Sequence, residues 1–201
     1  GIIGGLYSST ATISVLARKS RKASEQEATD YVAAMLLAVS MMFLRFMILI
    51  LIFSREIFLS IYPYLLTMAV VAAIVAWFIH SRQKRPEDQP AETEEDDSSN
   101  PLEFKVALIF AVLFVIFTFL THYTLVYAGT GGLNLLSFVS GFSDITPFIL
   151  NLLQNTGSVA ALIITACSMQ AIISNIMVNM FYALFFAGKG SKLRPWILGG
   201  F

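Results

Sequence analysis

The chain has 201 residues, of which 57% are hydrophobic and only 13% are charged, and its formal net charge is zero. Soluble domains average about 25% charged residues, so this composition excludes an ordinary soluble domain and indicates an integral membrane protein. The balanced charge gives no reason to expect nucleic acid as a partner. The single cysteine excludes a disulfide within the chain and a cysteine-cluster metal site.

The first half, residues 1–82, begins with a motif segment, 1–18, that reads GIIGGLYSSTATISVLAR. Two apolar stretches follow, 31–53 and 57–79, and each is as long as the roughly 20 residues that a helix needs to cross a bilayer. Thr29 or Asp30 is expected to cap the first of these helices. Residues 83–100 are acidic and contain proline and serine, which predicts a disordered linker between two membrane halves.

The second half, residues 101–201, contains three further apolar segments. The predicted spans are 101–127, 132–153 and 158–187, and another apolar segment starts at 195. The middle span is interrupted by SGFSDITPF, in which Gly141 and Pro147 disfavour a continuous helix. The chain starts without an initiator methionine or signal peptide and ends in PWILGGF, so we expect a domain cut from a longer membrane protein.

An internal repeat relates the two halves. GLYSSTATISVLAR, from Gly5, aligns without a gap with GFSDITPFILNLLQ, from Gly141, and pairs Ser8 with Asp144 and Thr10 with Thr146. Weak internal symmetry of this kind is common in secondary transporters, which bind substrate at discontinuous helices. Irregular backbone at bilayer depth is tolerated only when it is buried in protein or lines a water-filled cavity. We therefore expect the two motif segments to face each other across a polar site.

Two ionisable residues lie well inside predicted spans, away from their ends. Asp144 is interpreted as a cation or proton site because charges inside a membrane are costly, with a helix cap near the membrane surface as the alternative. Arg45, within FLRFM, is expected to pair with Asp144 or to line a polar cavity, and snorkelling to an interface is its alternative. Asn175 belongs to a stripe of polar residues along the last span that favours interhelical contact and a transport pathway equally.

The candidate ion-binding residues share a place in or beside the two motif segments. They are Ser8, Ser9, Thr10, Arg45, Ser143, Asp144, Thr146 and Asn175, with Asp144 as the hypothetical ligand of a metal cation. No catalytic motif is present: a serine protease would need a histidine base, an aspartyl protease a second membrane acid, and no phosphate-binding loop or paired metal-ligand motif occurs. The sequence therefore predicts neither an enzyme nor a cofactor, apart from a transported metal cation.

Several motifs together resemble one family of bacterial and archaeal membrane proteins. They are GLYSSTATISVLARKSRK at the start, Arg45 within its span, NPLEF after the linker, SGFSDITPF, and SNIMVN in the last span. With these motifs the chain resembles the family called domain of unknown function 4010, which is often found C-terminal to an MgtC/SapB-type domain. The resemblance implies a polytopic membrane protein without an established activity, and it suggests ion homeostasis by association.

The expected fold is an all-α integral membrane protein, a polytopic helical bundle with two related halves and interrupted helices. The leading hypothesis is a transporter or channel for a small ion, with a divalent cation as one option, and the alternative is a membrane module that regulates or scaffolds a partner without transporting. The expected partners are the lipid bilayer and a second copy of the chain. The distribution of Lys and Arg favours the inner (cytoplasmic) membrane with the linker in the cytoplasm, although KGSKLR argues for the opposite orientation unless the fourth segment is re-entrant.

Overall fold

The computed structural model describes residues 9–20, 25–81, 101–155, 157 and 159–186. These residues form helices and turns without a strand, and four stretches are long and apolar enough to cross a membrane. The prediction of an all-α membrane protein is therefore confirmed. The helices are α1 (Ser9–Ser20), α2 (Glu25–Phe53), α3 (Arg55–Ser81), α4 (Pro101–Ser140), α5 (Thr146–Gln154) and α6 (Ala161–Phe186).

A one-residue reversal at Ser54 joins α2 to α3. The backbone N–H of Ser54 donates to the Ile50 carbonyl at 2.8 Å, and its hydroxyl accepts the N–H of Ile57 at 3.4 Å. Because the reversal is so short, the two helices pack side by side, and their free ends meet where His80 Nδ1 lies 3.2 Å from Asp30 Oδ1. Asp30 and Thr29 lie inside α2, so the prediction that one of them caps this helix was wrong.

Gly129 divides α4 into two helical pieces, 101–128 and 130–140. Its φ of 57° and ψ of −148° are not helical, and a positive φ is adopted readily only by glycine. The first piece matches the predicted span 101–127. The break allows the second piece to take a new direction toward the SGFSDITPF motif.

The predicted span 132–153 consists of two short helices rather than one. The second piece of α4 ends at Ser140, residues 141–145 are not helical, and α5 begins at Thr146 with Pro147 in its first turn. At 1.5 Å per residue α5 is about 14 Å long and α1 about 18 Å, and both are shorter than the ~30 Å hydrocarbon core. The expected interruption of this segment is therefore present.

Helix α6 holds the bundle together because it contacts α1, α3, α4 and α5. Helix α1 also packs along α2, and α5 touches α2, so helices from before and after the linker interlock. In the repeat alignment Ser9 pairs with Ile145, so the starts of α1 and α5 differ by one position. The repeat itself, and the division into two halves, stay predictions. Residues 1–8, the linker 83–100 and the segment from 195 lie outside the described residues.

Candidate functional site

The site forms where the second piece of α4 unwinds. Its last turn tightens into i→i−3 hydrogen bonds, which commonly end an α-helix. The N–H groups of Gly141, Phe142 and Ser143 donate to the carbonyls three residues earlier at 3.2, 3.1 and 3.0 Å. The chain then runs free of helical bonding until α5, so residues 141–145, here called the motif loop, expose backbone carbonyls and polar side chains.

Helix α6 fastens the motif loop through two adjacent side chains. The Ser174 hydroxyl donates to the Phe138 carbonyl at 2.7 Å, and the Asn175 amide donates to the carbonyls of Gly141 at 3.1 Å and Ser143 at 3.4 Å. Asn175 in turn accepts a bond from the Asn179 amide at 3.1 Å. Helix α6 thus adds a second hydrogen bond to the Phe138 carbonyl and provides partners for the Gly141 and Ser143 carbonyls of the non-helical loop.

Asp144 lies at the end of the motif loop and holds the start of α5. Its Oδ1 accepts the backbone N–H of Thr146 at 3.0 Å and the Thr146 hydroxyl at 2.7 Å. A carboxylate beside the first N–H groups of a helix is also favoured by the helix dipole. The N-cap of α5 is Ile145, so the alternative prediction that Asp144 is the helix cap was wrong, although its carboxylate accepts the first N–H of the helix. The same carboxylate also lines a polar cavity.

Arg45 reaches this site from the first half of the chain. It lies about 12 Å along α2 from Phe53, at 1.5 Å per residue, which places it within the hydrocarbon thickness. Its Nη2 donates to the Thr146 hydroxyl at 2.8 Å, and its guanidinium carbon lies 5.3 Å from the centre of the Phe46 ring. Arg45 and Asp144 are thus linked through one hydroxyl group, and the guanidinium is turned into the protein.

A cavity of about 340 Å³ lies between the two motif segments. From α1 it is lined by Ser9, Thr10 and Ser14, whose hydroxyls fall within the first turns of that helix. The Ser9 hydroxyl donates to the Met42 sulfur at 3.2 Å, and the Ser14 hydroxyl donates to the Thr10 carbonyl at 2.8 Å. The opposite wall is the motif loop with Ser143 and Asp144, so the described part of the first motif segment faces the interrupted segment of the second half.

Most of the predicted site residues meet at this cavity. Thr146 does not line it but connects two residues that do, and Ser8 lies outside the described residues. The residues that line it are Ser9, Thr10, Arg45, Ser143, Asp144 and Asn175. Of these, Asn175 directs its amide to loop carbonyls, so its role in this structure is to position the loop rather than to offer a free ligand.

Sequence reasoning missed two polar residues of the cavity. Ser14 follows Thr10 by four positions, so both lie on one face of α1. Tyr182 follows Asn175 by seven positions and extends the polar stripe of α6 by one more residue. Continuing each helical face by one or two turns would have identified both. Within this stripe Asn175 and Asn179 have a mainly structural role, because the Asn179 amide donates a hydrogen bond to Asn175.

Asp144 supplies the one carboxylate among the described residues that line the cavity. Among the described residues, no group of three or more His, Cys, Asp or Glu is placed to hold a metal ion. The cavity is lined by one carboxylate and several hydroxyl-bearing residues, while the loop carbonyls of Gly141 and Ser143 already accept from Asn175. Dedicated Ca²⁺ sites use six to eight oxygens and usually several carboxylates, whereas Mg²⁺ often keeps its waters and contacts one or two carboxylates.

Comparison with known proteins places the chain in a family. An uncharacterized protein of Aquifex aeolicus (strain VF5) is 25% identical over 197 residues, which cover 96% of this chain and 83% of that protein. No solved structure matches the chain. A family model described as a domain of unknown function (DUF4010) matches residues 1–187. With a match over nearly its whole length, the chain belongs to the family called domain of unknown function 4010.

Proposed function

We propose that this membrane protein carries a small cation across the bilayer and that the cavity between the two motif segments is its binding site. The observation that carries the proposal is the polar cavity at which helix α1 of the first motif segment meets the interrupted motif loop, because this cavity contains the Asp144 carboxylate. Transporters commonly bind substrate where discontinuous helices face each other. The proposal assigns the chain no enzymatic activity and no cofactor.

The chemistry of the cavity supports a cation as the cargo. Asp144 supplies one negative charge, and the hydroxyls of Ser9, Thr10 and Ser143 supply neutral oxygens that can replace water around an ion. One carboxylate is enough for a monovalent cation, or for a divalent cation that keeps part of its hydration shell. Ionisable groups at this depth are costly to bury, and those that occur there usually serve a function such as ion binding.

A second function is favoured by the bonds that Asp144 already makes. Asp144, Thr146 and Arg45 are linked by hydrogen bonds in this structure, as a purely structural pair would be. Under that alternative the chain is a non-transporting membrane module that regulates or scaffolds another membrane protein. Three further predictions fit both functions. They are association with an MgtC/SapB-type domain, association with a second copy of the chain, and location in the inner membrane.

The test is cation flux in liposomes that contain the purified protein, with Na⁺, K⁺, Mg²⁺ and Ca²⁺ offered in turn. We expect Asp144→Asn to lower flux of the transported cation by about tenfold or more, because the ion loses its charged ligand. The matched control is Asp30→Asn, which also removes one carboxylate but lies at the exposed end of α2, and its flux should equal that of the wild type.

Two outcomes contradict the proposal. One is wild-type liposomes that pass none of these cations faster than protein-free liposomes. The other is a folded Asp144→Asn protein with unchanged flux. Either result favours the alternative function, in which the Arg45–Asp144 link is structural and the chain is a regulatory or scaffolding module.

A further inference from the structure

We propose that Arg45 is an internal substitute for the transported cation: its guanidinium neutralises Asp144 when the site is empty and leaves when the cation binds. This inference rests on the proposed function and specifies how the same site works. It starts from the single hydroxyl of Thr146, which accepts from Arg45 Nη2 at 2.8 Å and donates to Asp144 Oδ1 at 2.7 Å.

The Thr146 hydroxyl cannot keep both of its present hydrogen bonds when a cation binds beside it. A cation that contacts Asp144 Oδ1 competes with the hydroxyl proton that Thr146 now donates there. If it also uses the Thr146 oxygen, it competes with the guanidinium for the lone pairs. In either position the cation comes to lie close to a second positive charge, and repulsion between like charges is strong where water is scarce. Binding of the cation therefore requires the guanidinium to withdraw.

The structure provides space for this withdrawal. Arg45 itself lines the cavity of about 340 Å³, so its long side chain borders open volume rather than close packing. The guanidinium carbon already lies 5.3 Å from the centre of the Phe46 ring, and this attractive contact can persist when the bond to Thr146 breaks. Leaving Thr146 thus does not force Arg45 into an apolar environment.

A consequence for transport follows from charge balance. A carrier with an unpaired carboxylate cannot easily change conformation while empty, because the charge would be buried without a partner. With Arg45 linked to Asp144, the empty site is already neutral and can reorient. The protein should therefore catalyse net uptake into cation-free liposomes, as well as exchange of labelled for unlabelled cation.

The experiment compares net uptake with exchange in the same liposomes. The wild type should show both net uptake and exchange, because its empty site holds no unpaired carboxylate. Arg45→Gln removes the charge and leaves a shorter side chain that still has polar N–H groups. It should lose net uptake by about tenfold or more while retaining exchange, because loaded sites still reorient. Arg45→Lys restores the charge and should regain net uptake.

The possible results separate this inference from the proposed function. A wild type that exchanges but shows no net uptake overturns the inference without any variant and leaves cation transport standing. A folded Arg45→Gln protein in which both rates are unchanged, or fall together, also overturns it. Absence of both fluxes from the wild type instead overturns the proposed function, and the inference with it. Arg55→Gln, which removes an exposed arginine at the start of α3, is the matched control and should behave as the wild type.

Discussion

Gly141 lies against Ser174 so closely that a Cβ atom on residue 141 would overlap the hydroxyl oxygen of Ser174. The same atom would lie 2.8 Å from the backbone nitrogen of Asn175. The hydroxyl could rotate away, but the backbone of α6 could not. Glycine at this position therefore lets the motif loop approach α6 closely enough for Asn175 to reach the loop carbonyls.

Replacing Gly141→Ala should destabilise the protein by about 1–3 kcal/mol, as overpacking against a rigid backbone does. The loss would appear as a lower unfolding midpoint in detergent. Gly131→Ala is the matched control, because a Cβ there meets nothing within 4 Å, and it should be neutral or slightly stabilising. Equal midpoints for the two variants would contradict the close contact between the motif loop and α6.

The Thr146 hydroxyl should be necessary for the link between Arg45 and Asp144. Thr146→Val removes both hydrogen bonds while conserving the shape of the side chain, and should cost about 1–3 kcal/mol in the free energy of unfolding because charged groups lose their partner. Thr146→Ser retains the hydroxyl and should stay within about 0.5 kcal/mol of the wild type. Chemical denaturation in detergent measures both, and a serine variant as unstable as the valine variant would show that the methyl group matters instead.

The cavity should be accessible to water, which the single native cysteine makes simple to examine. In a Cys167→Ser background, Ser143→Cys should react readily with a charged, membrane-impermeant thiol reagent because Ser143 lines the cavity. Phe119→Cys should react slowly, because Phe119 lies on an apolar span of α4 and is 61% exposed where lipid is expected. Similar reaction rates at the two positions would contradict a water-filled site.

The long helices could be predicted because their apolar runs match the thickness of a bilayer. The interruption near Gly141 and Pro147 could also be predicted from the sequence, because glycine and proline both weaken a helix and polar side chains surround them. The start of α2 was misplaced because Thr29 resembles a cap, yet the helix extends four residues further toward its N-terminus. A residue that is favourable as a cap does not by itself decide where a helix begins when the preceding turn can also be helical.

Details of the site depended on three-dimensional contacts that no pattern specifies. The alignment placed Thr10 and Thr146 at equivalent positions and suggested equivalent roles as ion ligands. In the structure Thr10 lines the cavity, while Thr146 is engaged between a guanidinium and a carboxylate. Which hydroxyl stays available to a ligand depends on whether a long side chain such as Arg45 reaches it from another helix.

The meeting of Asp30 with His80 fixes one aspect of how the chain is threaded through the bilayer. Helix α2 crosses in one direction, α3 returns, and their distant ends come together at one membrane face. The start of α2 and the end of α3 therefore lie at the same face of the membrane. A reporter placed at Asp30 or His80 identifies the side of the membrane that both ends occupy, so one measurement orients both helices.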